Sequence, residues 1–221
     1  SWSVRSRQVF LSQSLQQASE KTAKRTTGVL TYLVNAIVKG EDANASPLIP
    51  YSMVSAVEPG KGRGLPVDLA EDEIVLNQWS ANDLNVSTGD SITLSYFTVG
   101  ERRKLNEKSK TFTLKAIVPL PDMVPQEKES DWTPQFPGLS DAESCGEWNT
   151  GIPIKHKIRE RDEDYWDLYR GSPKAFVTLA SGQAMWSNRW GTLTGLRVAK
   201  EDASREEVER VLRSELSAAE A

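Results

Sequence analysis

Apolar and polar positions alternate most clearly between Glu73 and Val118. Ile74, Val75 and Leu76 are a short apolar run that predicts a strand. Asn77 to Leu84 predicts a two-turn helix with Trp79 and Leu84 facing inward. Gly89-Asp90 is a tight-turn signal, because glycine tolerates positive φ and the aspartate carboxylate can accept from turn amides. Ile92 to Phe97 alternates with a period of two, as a half-buried strand does. The charged run ERRKLNEKSK is expected to be a connection back into Thr111 to Val118, where Phe112, Leu114, Ile117 and Val118 predict a third, buried strand. The stretch reads as a small β-rich unit with one short helix and no catalytic apparatus.

The flanks extend this pattern. A first strand is expected within Val4 to Leu11, then a helix through LQQASEKTAKR capped by Ser12 or Ser14, with Gln16, Glu20 and Lys24 on its polar face. VLTYLVNAIV, within Thr27 to Val38, is the longest apolar run, and its β-branched content predicts a buried strand. Leu48 to Val57 predicts another, interrupted early by Pro50. This β-α-β opening fits a layered α/β unit. Prolines 121, 125, 134 and 137 exclude long helices from Pro121 to Gly151, so that stretch is expected to be irregular, draped over the core by Trp132, Phe136 and Trp148. Lys155 to Arg170 predicts a helix with Ile158, Asp162, Tyr165, Trp166 and Tyr169 near one face, ended by Gly171 and Pro173. KAFVTL predicts a strand, Ser181 caps a short helix, and Thr192 to Val198 is the next strand. Ser204 to Glu207 is a capping box opening a last helix, with Val208, Val211, Leu212 and Leu216 inward.

Composition narrows the function. The chain has 221 residues, 38% hydrophobic and 26% charged, enough for one large domain or two small ones. A net charge of −4 with no dominant basic stripe argues against nucleic acid as a partner. No apolar run approaches the roughly 20 residues that span a bilayer, and no signal peptide is seen. The chain starts at Ser1 and not at Met, as a processed protein or a piece of a longer one would. Cys145 is the only cysteine, so no internal disulfide forms.

Candidate chemistry is sparse. EPGKGRGLPVD is glycine-rich, but it lacks the Gly-Lys-Ser/Thr ending of a phosphate loop, and Leu65-Pro66 stands where a helix should open. In RERDEDYWD, a carboxylate pair among Asp162, Glu163, Asp164 and Asp167 could act as general acid and base beside aromatic platforms. Carboxylates that flank a substrate come from different elements, however, so a solvated face pairing Glu163 with Lys157, Arg159 and Arg161 is the expectation. His156, between Lys155 and Lys157, has no zinc-ligand spacing around it. Ser181 lacks the first glycine of a nucleophile elbow. The chain is therefore expected to be no enzyme and to need no cofactor or metal. The remaining feature is aromatic. Trp132, Trp148, Trp166, Trp186 and Trp190 are either core anchors or a partner-facing patch, in which Trp186, Arg189, Trp190, Trp132 and Trp148 are the candidate contact residues.

The order strand-IVLN, short helix, GDSITL, then TFTLKAIV resembles the periplasmic core domain of MacB-type ABC transporter permeases. PGLSDAES, IPIKHKIRERDEDYW, YRGSPKAFVTLASGQ and NRWGTLTGLRV resemble a branch of FtsX-like permeases. Together they cover most of the chain beyond Ile49. The last strand departs from the family pattern by running into Pro119-Leu120-Pro121 where a glycine is usual. The resemblance implies an α+β fold: a layered α/β subdomain formed from both chain ends (1–68 and 173–221), an inserted β-rich subdomain (69–120), and an irregular segment with a helix (121–172). It also implies a non-catalytic extracytoplasmic domain of an inner-membrane protein, whose membrane helices lie outside this sequence. An ATPase subunit, a dimeric permease and a periplasmic adaptor or substrate protein are the implied partners. The alternative is a free-standing extracytoplasmic binding module, for carbohydrate, using the Trp-rich surface.

Overall fold

The computed structural model describes residues 2–6, 9–22, 26–61, 64–100, 104–120, 132–149, 151–198 and 204–219. The strands are β1 (Trp2–Arg5), β2 (Thr26–Lys39), β3 (Leu48–Val57), β4 (Glu73–Asn77), β5 (Ser91–Val99), β6 (Leu105–Val118), β7 (Ala175–Thr178) and β8 (Gly195–Val198). The helices are α1 (Gln13–Thr22), α2 (Gln78–Leu84), α3 (Glu160–Tyr169), α4 (Leu179–Trp186) and α5 (Arg205–Ala219). The fold is α+β, with one mixed sheet.

Strand order is β1-β8-β2-β3-β7-β4-β6-β5, and β5 also pairs with β2. The last six strands of that order therefore close into a barrel. β2 makes closure possible by its length. Its first residues pair with β8 (Thr26↔Val198), and its last pair with β5 (Lys39↔Ile92). β3–β7 and β4–β6 are parallel, and the other pairings are antiparallel. The main core draws on Leu30, Ile37, Ile49, Leu76, Leu94 and Phe112 from the strands, Leu84 from α2 and Trp186 from α4. α4 lies so close to β3 that a Cβ on Gly182 would sit 2.1 Å from the Ala56 Cβ.

The elements at the chain ends share a second core: Val4 of β1, Leu11, Leu193, Leu196 and Val198 near and on β8, and Val208 of α5. No residue of Glu73 to Val118 enters it. Conversely, β4, β5 and β6 share the sheet and the main core with β2, β3 and β7.

Several expectations shift. β1 ends at Arg5, and Leu11 is buried in a loop through its N–H bond to the Leu193 carbonyl, 2.8 Å. The connection expected over ERRKLNEKSK is in large part strand, because Leu105 to Lys110 pair with Val99 to Leu94 while their side chains mostly face water. Pro50 does not end β3. It pairs with Ala36 and Ser52 pairs with Val34 in unchanged register, and the ladder is interrupted at Tyr51, opposite Asn35, where φ is 32°. The helix expected from Lys155 starts at Glu160, where Arg159 takes the cap position. α4 is capped by Thr178, whose Oγ1 accepts the Ser181 N–H at 3.2 Å, so Ser181 sits in the first turn and is buried. Leu84 is buried as expected, while Trp79 is half-buried. In α5, Ser204 Oγ accepts the Glu207 N–H and Val208 is buried, while the Leu216 side chain lies outside the described residues.

Candidate functional site

Two places on the fold concentrate side chains that could serve a function: the tryptophan positions and a buried ionic network between α2 and α3.

The five candidate contact residues do not form one patch. Trp186 is 2% exposed, stacked on Tyr32 of β2 and met edge-on by Tyr96 of β5. It is a core anchor, because α4 turns that face into the barrel. Trp190, four residues on, is 48% exposed beyond the end of α4, with the Arg189 guanidinium 4.5 Å from its ring centre. These two residues line a groove with Ser12, Gln13, Gln16 and Gln17 of the α1 end and Asn188 to Thr192. Trp132 is half-buried, edge-on to Phe176, with Arg197 3.9 Å over its ring. Trp148 is half-buried against Trp166. Both belong to packing clusters on the outer face of the sheet.

The ionic network was not foreseen from sequence. Asp162 is 5% exposed on the inner face of α3. Its carboxylate accepts from Arg159 Nε (2.7 Å) and Nη2 (2.9 Å) and meets Lys174 Nζ at 3.4 Å. Arg159 also reaches Asp83 of α2 at 2.7 Å, and Arg161 contacts the other oxygen of Asp83. Burial pushes the Asp162 carboxyl up, but Arg159 and Lys174 outweigh it and hold the group below the usual carboxylate range. Lys174 is 4% exposed, with Nζ 4.4 Å from the Trp79 ring centre and 4.7 Å from that of Tyr165. Burial drives its ammonium down to about 8 against the pull of Asp162. Tyr165 Oη accepts from Asn77 Nδ2 at 3.0 Å and donates to the Ser172 carbonyl at 3.1 Å.

The expected solvated face of α3 is therefore only part of the truth. Glu163 does not pair with the arginines but accepts the Cys145 N–H at 2.8 Å. Cys145 is buried, and burial with the nearby Glu163 carboxylate pushes its thiol well above its ordinary value. Such a thiol is a poor nucleophile. His156 meets the Tyr51 ring at a tilt, 6.1 Å between centroids. Among the described residues no three His, Cys, Asp or Glu side chains could hold a metal ion. In the glycine-rich loop, Gly60 N–H bonds the Pro66 carbonyl and no helix follows. Residues 62 and 63 lie outside the described residues. The network joins elements mechanically: its central charges meet one another and aromatic faces, and Asp162 and Lys174 line a cavity of about 20 Å³.

No family model matches the chain, and no curated protein matches it. Among solved structures the chain is similar to the periplasmic region of MacB from Actinobacillus actinomycetemcomitans, with a TM-score of 0.45 and 9% identity; the alignment covers 97% of this chain and 75% of that one. Among the described residues no helix is long and apolar enough to cross a membrane.

Proposed function

We propose that the chain is a non-catalytic extracytoplasmic domain of an ABC transporter permease, coupling movement of membrane helices to a periplasmic substrate or partner protein. The observation that carries the reading is the run from Glu73 to Val118. The residues that resemble the MacB core domain, IVLN, the short helix, GDSITL and TFTLKAIV, occur as β4, α2, β5 and β6 in that order. Asn77 Oδ1 caps the helix at 2.8 Å, and Asp90 Oδ2 accepts the Ser87 N–H at 2.9 Å beside Gly89. The shared core of the terminal elements supports it too, since a domain held between two membrane helices is driven through both its ends.

On this reading 1–68 with 173–221, 69–120 and 121–172 are the subdomains, and 69–120 moves together with the barrel strands it pairs with. ATP hydrolysis belongs to a separate ATPase subunit, the permease is a dimer, and the protein resides in the inner membrane. The carbohydrate-module alternative needs open aromatic faces. Trp186 is buried and the Trp190 ring has Arg189 against it, which disfavours that alternative.

The test is isolation of the natural full-length protein from its membranes through a tag on this domain. Stoichiometric recovery of an ATPase subunit is the expected result, together with an ATP-dependent change in accessibility of a thiol introduced by Trp190→Cys. Recovery from the soluble fraction without an ATPase, or with bound glycan, overturns the proposal.

A further inference from the structure

The segment before α3 is fastened across three separate elements of the barrel. The Lys155 and His156 backbone N–H groups both donate to Tyr51 Oη on β3, the second at 2.8 Å. Lys155 Nζ meets Glu107 Oε2 on β6 at 2.5 Å, and Glu107 is itself steadied by Asn35 Nδ2 at 2.8 Å. Arg159 and Arg161 then grip Asp83 on α2. Each fastening is polar, and the Lys155, Glu107 and Arg161 side chains are 47%, 35% and 59% exposed. Below them, α3 lies over Leu33, Met53, Cys145, Trp148 and Ile158, around a cavity of about 20 Å³. The Trp148 Nε1 is buried there without a protein acceptor.

Backbone strain marks both boundaries. Three non-glycine residues in the described chain have positive φ, and one of them, Asn85, is an ordinary helix C-cap. The other two are Tyr51 (φ 32°), which receives the segment, and Arg170 (φ 49°, ψ −136°), which ends α3 next to Gly171. A bulky aromatic held in this region persists only where its surroundings over-determine it, and Tyr51 is held by the two amides it accepts.

We propose that residues 151–170 form a releasable strap: the segment 151–159 unlatches from Tyr51, Glu107 and Asp83, and α3 lifts about Arg170-Gly171, parting Asp162 from Lys174 and Tyr165 from Asn77, while the barrel stays folded. Release frees Tyr51 from its strained conformation and uncovers Leu33, Met53 and Cys145. This inference stands independently of the transporter reading.

Cys145, the only thiol, reports the motion, since Trp166, Asp162 and Glu163 of α3 cover it. The experiment is native-state labelling of the whole chain with iodoacetamide, beside hydrogen exchange of Ile74 to Leu76 in β4. The expected result is labelling through an opening whose denaturant dependence is well below that of β4 exchange. Raising the salt to about 1 M, which shrinks the screening length to roughly 3 Å, speeds labelling. Tyr51→Phe and Glu107→Gln each speed it about tenfold or more, with β4 exchange unchanged. Labelling that follows the same denaturant dependence as β4 exchange overturns the strap, as does labelling indifferent to salt and to both variants. If a variant fails to fold, the wild-type denaturant and salt dependences decide alone.

Discussion

Tyr32 and Trp186 stack face to face, centroids 5.2 Å apart and planes 4° from parallel, and this pair joins β2 to the helix that follows β7. Tyr32 Oη donates to the Phe97 carbonyl at 2.6 Å, so the same ring also ties β2 to β5 where the barrel closes. Trp186→Ala is expected to destabilise by about 3–5 kcal/mol, as large aromatic deletions in packed cores do. Chemical denaturation measures it. A loss below about 1 kcal/mol means that Trp186 does not anchor the core. Trp190→Ala, at a half-exposed site, is expected to change stability by less than about 0.5 kcal/mol.

Asn77 does three things from one buried side chain. Its Oδ1 caps α2 through Ser80 N–H, and its Nδ2 donates to Tyr165 Oη (3.0 Å) and to the Pro173 carbonyl (3.1 Å). Asn77→Ala is expected to cost about 2–4 kcal/mol, one lost cap plus buried acceptors left without their donor. Asn77→Asp keeps the cap but replaces the donor by a buried carboxylate, and is expected to be no better tolerated. Recovery of most of the stability by Asp assigns the role to capping alone.

Lys174 gives stability a slope with pH. Its value near 8 in the fold lies below its ordinary 10.5, so between these the unfolded chain binds more protons and this group's contribution rises with pH. Cys145 acts oppositely above about 9, because its folded-state thiol is pushed up. The clean window is therefore from about pH 7 to about pH 9, over which Lys174 is expected to add about 1 kcal/mol. Lys174→Met is expected to abolish that rise. Equal slopes in the two proteins would contradict the buried, charge-disfavouring site.

The isolated chain is expected to hydrolyse neither ATP nor glycosides. Asp162 is occupied by Arg159 and Lys174, and Glu163 by the Cys145 amide, so neither carboxylate faces an open cleft. Turnover that follows the protein through purification and disappears in Glu163→Gln would overturn the non-catalytic reading.

Where signals are local, the sequence is a good guide. The short helix expected from Asn77, the Gly89-Asp90 turn and the apolar strand through VLTYLVNAIV are set by neighbouring residues and fall close to their expected places. Leu105 to Lys110 looked like a charged loop because a ribbon that pairs through its backbone need not bury its side chains. Asp162 stands among carboxylates expected to form a solvated face, and Lys174 only opens the predicted strand KAFVTL. Arg159 lies only three residues from Asp162, but Lys174 and Trp79 reach the same place from other elements, which no local pattern records. Trp186 and Trp190 share a spacing that allows a common face, but α4 ends between them, and that ending separates their fates. Barrel closure by β5 on β2 was likewise invisible, since nothing in either strand names its partner.

β2 also carries a consequence for how the protein is made. The Val29 carbonyl is met by Thr194, 165 residues further along the chain. At a synthesis rate of roughly 5–20 residues per second, that neighbour leaves the ribosome about 8–33 s after Val29 does. For that interval the first residues of β2 lack their β8 partner, while β5 can already pair with its last residues. The chain must reach β8 before this edge is safe from foreign strands, so truncation before Gly195, more than any single substitution, is the change that would turn the product toward aggregation.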